Sequence, residues 1–134
     1  MPGYSGTPLP KKLGIKDGFR VSAPDMPRDV EDQLQDALKQ CTMDHSCKRS
    51  VDFMMDFAKS RKDLEDFKFV AQQLTPAGML WVCWPKKSSG VETDLNENVV
   101  RDIGLAAGLV DVKVCAVTDV WSGLKFVRRL KDRK

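Results

Sequence analysis

Cys41, His45 and Cys47 stand within the stretch "CTMDHSCKRS", and His45 is the chain's only histidine. Thiolate and imidazole are good zinc ligands, but a structural zinc site takes four of them and usually draws two from a C-x-x-C knuckle. The sequence has no such knuckle, so these three residues read as part of a polar loop and no metal is expected. Nucleophilic chemistry also lacks its parts. There is no G-x-S-x-G elbow for a histidine to serve, and no G-x-x-x-x-G-K-[ST] loop to hold phosphates. Asp29, Glu31, Asp32 and Asp36 recur along one stretch of helical period, where a solvated face accounts for them better than a catalytic carboxylate pair. No catalytic residue is assigned, and the balance favours binding over catalysis without closing the question.

Residues suited to recognition are easier to find. Lys86 and Lys87 follow the apolar run "MLWVCW", and Trp121 with Ser122 interrupts two strand-like runs in "DVWSG". A tryptophan beside two lysines can stack on a flat ring while the ammonium groups hold an anion. The competing reading folds Trp121 back onto a sheet edge or under the N-terminal arm. That arm, "MPGYSGTPLPKK", has three prolines and two glycines in twelve residues, so residues 1–15 are expected to be irregular. Its Tyr4, Ser5 and Thr7 are either packed across the domain or displayed to a partner. From Arg128 onward there are five basic residues and one acidic, against a formal charge of +3 for the whole chain. This basic tail, 128–134, is a solvated end or a weak contact for nucleic acid.

These residues are carried by segments whose period alternates between the two regular types. "FRV" at 19–21 is a short strand after the turn Lys16-Asp17-Gly18. Asp29 caps a helix to about Gln40 that buries Val30, Leu34, Ala37 and Leu38. Residues 51–58 form a buried strand. Ser60 and Asp63 then cap a helix that buries Leu64, Phe67, Val70, Ala71 and Leu74. Residues 79–84 are apolar on both faces, as suits a central parallel strand. Asp94 with Glu97 opens a third helix, and Gly108 closes it. In the next strand, 110–118, Val110, Val112, Val114 and Ala116 alternate with more polar neighbours. The five-residue link 119–123 is too short for a parallel crossover, so 124–130 returns antiparallel.

The expected architecture is therefore a three-layer α/β sandwich, Rossmann-like, with a mostly parallel sheet and a C-terminal antiparallel hairpin, in one domain over 1–134. In such sheets ligands collect outside the carboxyl ends of the strands, which puts "APDM", "KSRK", "PKKSSG" and "DVWSG" on one rim. No apolar run approaches the ~20 residues of a membrane span, and the first residues lack an apolar stretch behind their lysines. The four cysteines are too sparse for a disulfide scaffold. A reduced, cytoplasmic setting without membrane contact is expected.

"LTPAGMLWVCWPKK", followed by a helix and a hairpin, resembles the second half of a class I methyltransferase, and "LGIKDGFRV" resembles the lead-in to that fold's first strand. The chain is also similar to an uncharacterised family of small bacterial proteins, a domain of unknown function. "GYSGTPLPKKLGIKDG", "LWVCWPKK", "GLVDVKVCAV" and "WSGLKFV" carry that resemblance. The methyltransferase likeness implies a glycine-rich turn after the first strand, but "FRV" runs into "SAPDMPRD" and no glycine occurs between Gly18 and Gly78. No cofactor is therefore expected. The reading is a non-enzymatic interaction or regulatory module with a protein partner. The alternatives are a binder of a small anion or nucleotide through Lys86, Lys87 and Trp121, and nucleic-acid binding through the basic tail.

Overall fold

A computed structural model describes residues 7–46 and 48–133. Where the prolines suggest an irregular arm, it has a short helix, α1 (Leu9–Leu13). Pro10 falls in the first turn, where its missing N–H costs nothing, and Gly14 at φ 89° ends the helix. Leu9 and Leu13 are buried, which ties this turn down. β1 (Arg20–Ser22) and α2 (Arg28–Leu38) follow. Asp29 lies inside the first turn of α2 instead of capping it, and Pro27 holds the cap position.

The polar loop that follows contains a two-residue strand, β2 (Thr42–Met43), which pairs in parallel with β1. An ion pair from Arg20 Nη1 to Asp44 Oδ2 at 2.8 Å fastens it. β3 (Val51–Phe57) agrees with the expected strand. The expected helix beyond it is split. Ser60 caps a 3-10 turn at Arg61–Leu64, α3 covers only Phe67–Ala71, and Leu74 already belongs to β4 (Leu74–Pro85), opposite Val51. Helical spacing of Leu64, Phe67 and Ala71 survives the break because all three pack on one core.

The side chain of Asn96 caps α4 (Glu97–Ala106) by accepting from Val99 N at 2.9 Å. Asp94, read as the start of this helix, instead accepts from Arg61 N at 2.9 Å. β5 (Leu109–Ala116) and β6 (Trp121–Arg128) complete the sheet. The link between them is Val117 to Val120, so Trp121 is the first residue of a strand and not the tip of a turn. Arg128 is likewise part of β6. Its Nη2 donates to the carbonyls of Leu74 (2.7 Å), Gln72 (3.2 Å) and Ala71 (3.5 Å), so the basic tail is anchored at its root.

The six strands run in the order β2-β1-β3-β4-β6-β5. β2, β1, β3 and β4 are parallel, and β6 inserts antiparallel between β4 and β5. Helices cover both faces, giving three layers. One core gathers Leu64, Phe67, Leu80, Leu124 and Phe126 beneath α3 and α4. The other gathers Leu13, Val21, Leu34, Phe53, Trp81 and Trp121 beneath α1 and α2. Trp81 donates Nε1–H to Leu13 O at 2.9 Å, which satisfies its one polar atom and clamps α1 to the sheet. Gly104 lets α4 approach closely, because a Cβ there would overlap the edge of the Phe126 ring. Among the described residues no helix is long and apolar enough to cross a membrane.

Candidate functional site

After β1 the chain crosses outward to β2, then returns past β1 to lay down β3 on its other side. The order of strands reverses between β1 and β3, and in open parallel sheets the carboxyl ends at such a reversal leave a crevice. Two adjoining clefts open there. The larger, about 490 Å³, is lined by Asp25 and Pro27 from the β1–α2 turn, Asp56 and Phe57 from the end of β3, and Lys59, Asp63 and Trp121. The smaller, about 250 Å³, is bounded in part by Ser22, Pro24, His45, Asp56, Asp63 and Asp66. Asp56 and Asp63 line both.

Each carboxylate has its own reason for being there. Asp25 stands at φ 59°, a left-handed conformation that aspartate tolerates better than most side chains and that bends the chain sharply between two prolines. Asp63 accepts from Lys59 N at 2.9 Å, which folds the loop after β3 back on itself. Asp56 closes a strand whose residues Phe53, Met54 and Met55 are buried. Burial, followed by repulsion from Asp66, Asp63 and Asp25, raises its carboxyl from an ordinary value of 3.8 to about 6. Across the mouth, Phe57 meets Trp121 edge-to-face, with ring centroids 5.3 Å apart.

The sequence-derived candidates are dispersed. Trp121 is only 7% exposed, because its strand pairs with β4 as far as Pro85 and turns the ring into the second core. Lys86 does neighbour it through the main chain, its N–H donating to Val120 O at 2.7 Å. Lys87 borders a different surface cleft, with Glu92 and Asp94. Ser122 sits within the ladder, opposite Trp84 and Ala116. Thr7 is exposed, whereas Tyr4 and Ser5 lie outside the described residues, as does Cys47. The Cys41 thiol donates to the carbonyls of Lys16 and Ala37, both at 3.5 Å. Among the described residues no three His, Cys, Asp or Glu side chains are placed to hold a metal ion. Sequence reasoning placed "APDM" on this rim but missed Asp56, Asp63 and Asp66, although the second aspartate of "VDFMMDF", directly after three apolar residues, is an unusual neighbour for a buried strand.

A family model described as Protein of unknown function (DUF3052) matches residues 10–130. The chain belongs to this family. Comparison with curated proteins by sequence gives no match. Among solved structures the chain is similar to magnesium protoporphyrin IX methyltransferase from Synechocystis PCC 6803 with bound SAM. The TM-score is 0.57 at 12% identity, over 90% of this chain and 74% of that one. It is similar also to a putative type 11 methyltransferase from Sulfolobus solfataricus, with a TM-score of 0.56 at 18% identity, over 90% and 89% of the two chains. A pericyclic reaction enzyme matches too, with a TM-score of 0.51 at 13% identity, over 92% of this chain and 47% of that one. The chain therefore has a class I methyltransferase-like fold, and the fold does not by itself name a reaction.

Adenosylmethionine is the cofactor this fold implies. It needs close backbone approach at the turn after β1. Every residue from Ala23 to Pro27 carries a Cβ, and Pro24 and Pro27 have no N–H to offer. The residues present do not fit that group in that binding mode.

Proposed function

We propose that this DUF3052 chain is a non-enzymatic interaction module that offers the β1–β3 cleft to a positively charged group on a protein partner. The observation that supports it is the convergence of Asp25, Asp56, Asp63 and Asp66 on two adjoining clefts, whose other titratable lining residues are Lys59 and His45. A half-buried carboxyl held near 6 is a poor anion until a cation arrives, and a cation within ~4–6 Å favours its charged form. The carboxylates are not grouped to chelate a metal ion, so an ammonium or guanidinium is the better occupant. Such a group would also lie near Phe57 and Trp121, which line the larger cleft and attract a cation over a ring face. An anionic ligand at the same place would meet these carboxylates, which argues against it.

Tri-arginine peptide and adenosylmethionine make a direct test by thermal shift and calorimetry at pH 8. The wild type should melt higher with tri-arginine, and Asp56→Asn should not respond. Adenosylmethionine should show no Kd below ~10 μM. Tight binding of the cofactor would overturn the non-enzymatic reading. An undiminished tri-arginine response in Asp56→Asn would overturn the cleft as its seat.

A further inference from the structure

Lys113 of β5 and Lys125 of β6 are direct partners across the antiparallel ladder. Like charges so opposed destabilise a strand pair, so their presence calls for a reason. Both lie on the face covered by α1. Lys113 Nζ donates to Lys12 O at 3.0 Å, and Lys125 Nζ is 3.9 Å from where a Cβ on Gly14 would stand. Lys12 Nζ donates in turn to Ala116 O at 3.2 Å. Two of the ammonium groups are thereby pinned to main-chain carbonyls, where they cannot splay apart. Burial lowers the Lys125 pKa, and the charges of Lys113 and Lys16 lower it further, which places Lys16 in the same field.

The sheet also turns one acid of β5, Asp111, away from Lys113 and Lys125. In a regular strand Asp111 and Lys113 would share a face. The register shifts between them, so that Asp111 pairs with Phe126 while Lys113 pairs with Lys125, and neighbours on β6 face opposite ways. Asp111 is turned to the α4 side, where it accepts from Arg101 Nε at 2.9 Å. Lys16, Lys113 and Lys125 form no ion pair with a carboxylate among the described residues.

We propose that Lys12, Lys16, Lys113 and Lys125 form a binding site for a multiply charged phosphate group, either the phosphate chain of a nucleotide or the backbone of a nucleic acid. Lysine binds phosphate as a point charge, and four such charges drawn from three parts of the chain suit an anion with several charges close together. This site uses none of the residues of the acidic cleft and stands whatever that cleft does.

The test titrates wild type and Lys113→Gln/Lys125→Gln with tripolyphosphate, a nucleoside triphosphate, a short single-stranded oligonucleotide and polyglutamate. At least one phosphate probe should bind the wild type at low salt and lose most of its affinity in the double variant. If the oligonucleotide binds more tightly than tripolyphosphate, the source is nucleic acid. Four neutralised phosphates then imply an affinity loss of about 50-fold between about 50 and 200 mM salt, falling to about 7-fold with the two remaining lysines. If tripolyphosphate and the triphosphate bind as well as the oligonucleotide, the source is a free phosphate chain. Lys16→Gln, at an exposed position, should weaken binding without moving Tm and keeps the test valid should the double variant fold poorly. Absence of binding by every phosphate probe, unchanged binding in the variants, or polyglutamate binding as tightly as phosphate would overturn the proposal.

Discussion

Replacing Asp56 by asparagine should stabilise this protein at neutral pH and leave it nearly unchanged in acid. The Asp56 carboxyl sits at about 6 in the fold against an ordinary value of 3.8, chiefly because it is buried and secondarily because Asp66, Asp63 and Asp25 repel its charge. A raised carboxyl value means that the folded state holds the proton more tightly than the unfolded chain does. The contribution to stability is therefore full below 3.8 and is lost as pH rises through about 6. At ~1.36 kcal/mol per pH unit, that interval amounts to at most about 3 kcal/mol, the upper figure because Asp56 keeps some contact with water. Asparagine has nearly the same shape and cannot ionise, so the variant escapes the loss. Its advantage should be small near pH 4, mostly developed by pH 6, and level above pH 7. For 134 residues an advantage of this size corresponds to roughly 10 °C in Tm at pH 8. Thermal melts of both proteins across this pH range measure it. A variant less stable than wild type at pH 8, or a difference in Tm that is the same at pH 4 and pH 8, would refute the reasoning. A gain in stability joined to loss of tri-arginine binding would mark Asp56 as a residue kept at a cost to the fold.

Trp121→Ala should cost about 3–5 kcal/mol, since the ring is buried in the second core and packed on Phe57. The urea midpoint should drop by about 1 M or more, and an unchanged midpoint would return Trp121 to surface recognition. Gly104→Ala should lower stability by about 1–3 kcal/mol, because the new methyl group collides with the Phe126 ring and α4 must shift. A calorimetric Tm equal to that of wild type would show that the helix already has room.

The strands were legible because their signals are local. "FRV", "VDFMMDFA" and "MLWVCW" combine β-branched, aromatic and sulfur-bearing residues in runs of strand length, and each became a strand of the parallel part of the sheet. The return of β6 followed from chain length alone, since a few residues cannot carry a crossover. Helix boundaries were less legible. Asp29, Asp94 and Ser60 are all good caps in isolation, but only Ser60 caps anything, and what it caps is a 3-10 turn. The choice between Asp94 and Asn96 depended on Arg61, 33 residues away, which takes the Asp94 carboxylate for its own N–H.

By itself, then, the sequence determined the α/β class, the rim on which loops emerge, and the lack of a glycine turn after the first strand, because period, link length and the presence of Cβ atoms are properties of short segments. Only the tertiary structure decided which charges meet. Asp25, Asp56, Asp63 and Asp66 come from three separate segments and line two adjoining clefts because β1 and β3 are neighbours across the reversal of strand order. Trp121 is buried because β6 pairs with β4 as far as Pro85. Lys113 faces Lys125 without Asp111 beside it because one register shift turns the aspartate to the other face of the sheet. Register and strand order are set by the sum of many packing contacts across the chain, and no local window of residues contains that sum.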